Sequence, residues 1–116
     1  MARTTLTKTL LTTPNPSASV VITETAADTV NFNQFVHTGR ETLCARNSGA
    51  VGRTVTVNSV ADERGRTGNI TAEAIAAGVT RCFGPFLDIV GWRQADGMLY
   101  CEANHAEVLF SVHQLR

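Results

Sequence analysis

Lysine is almost missing from this chain: Lys8 stands alone against nine arginines, and ten acidic residues cancel the ten basic ones. With no net charge, no overall field draws the chain to nucleic acid or to an anionic membrane, and neither partner is expected. No apolar run approaches the roughly 20 residues of a membrane helix. The opening stretch, MARTTLTKTLLTT, is threonine-rich and lacks an apolar h-region, so no secretory signal is expected. Aromatics are few, with five Phe, one Trp and one Tyr, which counts against a sugar-stacking face.

Cysteine is scarce as well. Cys44, Cys82 and Cys101 make an odd number with no CxxC pair, so a zinc or redox motif is not indicated. Each is read as a small buried hydrophobe with no catalytic or bridging role, in a protein made in a reducing cytosol. His37, His105 and His113 lie far apart with no metal-ligand spacing. A Cys–His dyad built from Cys44 or Cys101 with His37 or His113 has nothing in its favour over a packed thiol and a surface imidazole. No GxSxG, P-loop or GxGxxG is present, and the carboxylates are scattered singly. The expectation is therefore no catalytic residue, no cofactor, no metal and no enzymatic activity.

What remains is 116 residues with 43% hydrophobic and 17% charged side chains, enough for one globular domain that needs no metal or disulfide to fold. The stretch AAGVTRCFGPF, residues 76–86, organises it. Gly78 supplies a tight turn, Val79, Arg81 and Phe83 alternate with Thr80 and Cys82, and Gly84-Pro85 stops the strand before the apolar anchor Phe86. Such a device places a sheet edge.

Around it, short strand patterns recur between Gly, Pro and Asn turns. Leu43 and Ala45 oppose Thr42, Cys44 and Arg46, and Val55 and Val57 point inward from RTVTVNS; the two segments are expected to pair across Asn47-Ser48-Gly49. Val20 to Thr23, residues 70–75 and residues 98–102 are further strands. Asp28 caps a loop or single helical turn, and residues 88–92 form an irregular connection. The last strand, residues 107–115, is apolar on both faces and suits a central position. An all-β fold of short antiparallel strands is expected, a β-sandwich or jelly-roll-like barrel. The order Cys44…Trp92…Cys101 does not match an immunoglobulin core, where the tryptophan falls well before the second cysteine.

The first 16 residues read as an extended arm or edge strand, and residues 17–116 as the single sandwich domain. Leu6 and Leu10 share a face with Lys8 between them. Burying one leucine yields about 1.5–3 kcal/mol, whereas ordering ten residues costs on the order of 10 kcal/mol. The segment is thus expected to need an existing edge, that of another subunit or partner, with Pro14-Asn15-Pro16 freeing it to swing.

The order of motifs carries a resemblance. Phe35, Gly39 and Arg40 precede a strand ending in Asn47-Ser48-Gly49; Thr54 to Val57 follows; then come Ala77-Gly78, Gly84-Pro85-Phe86 and the hairpin Asp96 to Tyr100. This ordering resembles the small head-associated structural proteins of tailed bacteriophages, of the decoration or cement type. The resemblance implies a β-sandwich on the virion's capsid surface, made in the host cytoplasm, bound to the major capsid protein and self-associated, for instance as a trimer. On that reading Leu6, Lys8, Leu10, Arg40, Arg46, Arg53 and Arg81 are the candidate interface residues, arginine being favoured at interfaces. The rivals are a tail or head–tail junction protein and a receptor- or carbohydrate-binding module. Arg64-Gly65-Arg66 reads either as a contact for phosphate or carboxylate or as a solvated loop.

Overall fold

The computed structural model describes residues 3–10, 21–87 and 89–114. Ten strands and one short helix follow in chain order: β1 Thr4–Thr5, β2 Lys8–Leu10, β3 Thr25–Ala26, β4 Asn33–Val36, β5 Glu41–Asn47, β6 Arg53–Asn58, β7 Ile70–Ile75, β8 Thr80–Phe83, α1 Ile89–Trp92, β9 Met98–Ala103 and β10 Val108–Gln114. One sheet runs β1-β4-β9-β6-β7 and the other β2-β10-β5-β8, with β3 also on β10. The sheets pack face to face as a β-sandwich and neither closes into a barrel. Pairing is antiparallel throughout except that β1 runs parallel to β4 and β2 parallel to β10.

Period-two alternation explains the core. β5 buries every second residue, including Leu43 and Ala45, while Thr42, Cys44 and Arg46 face outward. Val55 and Val57 of β6, Leu99 and Cys101 of β9, and Phe35 of β4 meet them from the other sheet. β10, apolar on both faces, has strands on both sides, as its pattern predicts.

Three expectations are corrected. β5 and β6 do not pair; they lie in opposite sheets, joined by an arch. Buried Asn47 builds that arch, donating from Nδ2 to Val51 O (2.7 Å) and Ile75 O (3.0 Å) and accepting from Gly49 N. Its side chain thereby satisfies the turn's backbone groups, leaving the chain free to cross between sheets. The strand expected at Val20 to Thr23 is absent over residues 21–23, which are exposed; β3 begins at Thr25, and Val20 lies outside the described residues. The third correction concerns the partner of the amino-terminal segment: β1 and β2 are edge strands, one of the two readings of it, but the edges they use are not those of another subunit. Residues 3–10 pair with the chain's own strands, crossing from one sheet to the other, with Leu6 4% exposed between them. The expected break at Pro14-Asn15-Pro16 lies outside the described residues.

Lys8 explains why this short segment stays in place. Its Nζ donates to Oε2 of Glu41 at 2.8 Å, and Glu41 is wholly buried. The same carboxylate accepts from Thr38 Oγ1 (2.7 Å), Thr38 N (2.8 Å) and Arg40 N (3.3 Å). Burial pushes the Glu41 carboxyl up, but the hydrogen bonds from Lys8 and Thr38 and the Lys8 charge outweigh it and bring the pKa down from 4.5 to about 2. A buried charge with this many donors is a fully satisfied one.

Asp28 does cap a single turn: Oδ1 accepts from Val30 N and Asn31 N, and Phe32 N reaches Asp28 O. The strand expected at residues 70–75 is present as β7.

Candidate interaction surface

The Gly84-Pro85 stop determines one end of the sandwich. Gly84 sits at φ +100, and a Cβ there would lie 3.0 Å from the ring and backbone nitrogen of Phe86, so only glycine fits. The turn folds Phe86 inward, 4% exposed, against Trp92 (ring centroids 4.9 Å) and His37 (6.4 Å). His37 Nε2–H donates to Phe86 O at 2.7 Å, since a carbonyl only accepts. Arg93 Nε in turn donates to His37 O at 2.8 Å.

With Phe86 held inward, the residues that follow are thrown outward. Leu87 is 72% and Val90 85% exposed, and Ile89 leans on Gly39. This apolar knuckle abuts the loop of residues 59–69 through a bond from Val60 N to Gly91 O (2.7 Å). Asp62 shapes that loop: its carboxylate accepts from Arg64 N, Arg66 N and Arg66 Nε, all at 2.9 Å. Those backbone N–H groups of Arg66 and Arg64 hold its carboxyl below the usual range. An open recess of about 600 Å³ is lined by Val60, Ala61 and Val90 together with Asp62, Glu63, Arg64 and Arg66.

Arg40 and Arg64, both exposed, form no ion pair with another described residue. Arg40 follows Gly39, on which Ile89 rests, and Arg64 lines the recess with Val90. Exposed aliphatic side chains flanked by guanidinium groups that pair with no described acid form the kind of surface that gains most from being covered by a partner.

The other sequence-derived candidates fall elsewhere. Leu6 belongs to the core and Lys8 to the Glu41 ion pair; Leu10 is exposed. Arg46 makes a two-pronged bridge to Glu24 at 2.9 and 3.0 Å, and Arg53 one to Glu107 at 3.0 and 3.1 Å. Arg81 reaches Glu73 at 3.4 Å, spanning the gap between β8 and β7. Of the four arginines, only Arg40 joins the knuckle. Leu87, Ile89 and Val90 are not among the residues the sequence singles out, although apolar residues on both sides of Asp88, breaking alternation directly after Gly-Pro, are the signal for them.

The cysteine expectation divides. Cys101 is buried and free, and burial pushes its thiol pKa far up, leaving it inert. Cys44 and Cys82 instead form a disulfide, which corrects the reading of them as buried thiols. They are register partners on β5 and β8 and both point to the outer face, where period-two alternation sets them opposite Leu43 and Phe83. Among the described residues no group of three or more His, Cys, Asp or Glu is placed to hold a metal. Comparison with protein-family models, with curated proteins and with solved structures finds no match.

Proposed function

We propose that this chain is a structural protein of a tailed bacteriophage, of the decoration or cement type, that docks on the assembled major capsid protein. The single observation that carries the reading on the structural side is the knuckle Leu87, Ile89 and Val90 beside Arg40 and Arg64, which pair with no acid among the described residues. The order of sequence motifs that resembles such proteins supports it independently. The knuckle rests on Phe86, Trp92 and His37, so it is presented rigidly and loses little entropy on binding. Aliphatic side chains would fill pockets between neighbouring capsid subunits, and Arg40 and Arg64 would meet carboxylates at the rim. Because such a protein binds only assembled shell, it stabilises that shell by mass action. Self-association into a homo-oligomer such as a trimer would multiply weak contacts into avid ones.

The test is co-sedimentation with emptied capsids that lack the protein, followed by heating. Wild-type protein should pellet with shells and raise their disruption temperature, whereas the Leu87→Asp, Val90→Asp double variant should remain in the supernatant with its own melting unchanged. Binding to isolated tails instead would favour the head–tail or tail reading, and binding to immobilised glycans the receptor-module reading. Either result without shell binding overturns the proposal.

A further inference from the structure

Strand β8 is weakly held for an element that leads directly into the knuckle. It pairs through four register positions with β5 alone, and no described strand lies on its other edge. Three of its four residues are exposed and only Phe83 is buried. Apart from that ladder, the described contacts that fasten it are Phe83 in the core, the flanking backbone bonds from Asn47 N to Val79 O and from Phe86 N to Glu41 O, the exposed Arg81–Glu73 bridge and the Cys44–Cys82 bond, the one covalent tie among them. Cys82 lies exposed on the sheet margin, and Cys44 is half-buried beside it on β5. The third cysteine, Cys101, is sealed in the core of the opposite sheet and cannot exchange with them.

We propose that the Cys44–Cys82 disulfide is a thiol-exchange site, opened by small thiols and re-formed by small disulfides, and that it latches β8 and the knuckle behind it. In the opening step a thiolate attacks Sγ of Cys82, the more exposed of the pair. A bond forms between the two sulfurs, the Cys44–Cys82 bond breaks, and its electron pair leaves on Cys44, which takes a proton from water. A second thiolate attacks the mixed disulfide, releasing the small disulfide and the Cys82 thiolate. Two thiols are oxidised as one protein disulfide is reduced, and closing is the reverse. In a reducing compartment β8 is unlatched; in an oxidising one it is fastened. This inference does not depend on which partner the knuckle binds.

Glutathione is the probe. Air-equilibrated, folded protein is treated with maleimide, then with millimolar reduced glutathione, then with maleimide again, and weighed by mass spectrometry. The expected result is no label before glutathione and two afterwards, on Cys44 and Cys82, with none on Cys101. Amide exchange over residues 80–87 should then rise about tenfold while β9 and β10 stay unchanged. Two labels before glutathione, or none after it, overturns the exchange site; an opened bond with unaltered exchange over residues 80–87 overturns the latch. The Cys44→Ser, Cys82→Ser variant should match the reduced protein. If it does not fold, comparing the wild type before and after glutathione still decides the matter.

Discussion

The two margins of the sandwich are built differently. On one side the amino-terminal segment crosses from β1 to β2, places Leu6 between the sheets and fastens Lys8 to Glu41. Arg3 adds to this side, stacking 4.1 Å over Tyr100 and 5.5 Å from Phe32 while donating to Asn33 O. On the other side β7 and β8 form the edges of their sheets, joined by residues 76–79, and among the described ion pairs the exposed Arg81–Glu73 bridge links the two strands. β7 is blunted by a register shift opposite Val55 and Val57 and by Ala72 at φ 50; β8 is short and stopped by Gly84-Pro85. Irregularity and charge of this kind discourage unplanned edge pairing. One margin is closed by burial, the other is kept open by interrupted strands. The closed one belongs to stability and the open one leads to the knuckle.

Deletion of the first ten residues breaks this comparison most severely. It removes Leu6, worth about 2–5 kcal/mol if truncated alone, and strands the Glu41 carboxylate, worth about 3–5 kcal/mol. Together these approach the roughly 5–15 kcal/mol total of a small domain. The truncated chain should be unfolded by circular dichroism even when dilute; a cooperative melt close to wild type would return the segment to the role of a detachable arm.

Lys8→Ala sharpens the same point with a smaller loss, about 3 kcal/mol in urea unfolding at neutral pH. The pH dependence follows from Glu41. Its folded pKa of about 2 lies below the unfolded 4.5, so the unfolded state binds the proton more readily. The resulting stabilisation, on the order of 3 kcal/mol, is complete well above pH 4.5 and lost as pH falls through about 2. In the Lys8→Ala protein that acid-side loss should shrink, because the folded carboxyl no longer sits so low. Equal slopes in the two proteins would remove Lys8 from the account.

The smallest effect belongs to the open margin. Arg81→Ala should cost no more than about 0.5 kcal/mol, since both partners of its bridge are largely exposed. A loss of 2 kcal/mol or more in chemical denaturation would mean that this margin is held as firmly as the other.

Much of the architecture was legible in the chain itself. Alternation in residues 41–47 and 53–58 gave the inward faces of β5 and β6, and Gly78 with Gly84-Pro85 marked β8 as an edge. Period two fixes a strand's faces, however, and says nothing about which sheet it joins. The Asn47 turn therefore reads as a hairpin, because its bond to Ile75 depends on a residue 28 positions away in sequence. The amino-terminal segment looks detachable when its energetics are summed within itself. The decisive partner of Lys8, buried Glu41, lies 33 residues away. Cys44 and Cys82 were read as thiols for a similar reason: with β5 and β8 in different motifs, only the register sets them side by side. The knuckle escaped because residues 87–90 follow neither a helical nor a strand period, and exposure is decided by how Phe86 turns inward.

The central claim, that the knuckle end of the molecule is the docking surface, is tested most directly by amide exchange of the protein with and without assembled capsid shells. Protection should concentrate in residues 38–40, 60–66 and 86–92, with residues 4–10 and 71–74 exchanging as they do in the free protein. Protection confined to β1 and β2, or no protection anywhere at saturating shell, would contradict it.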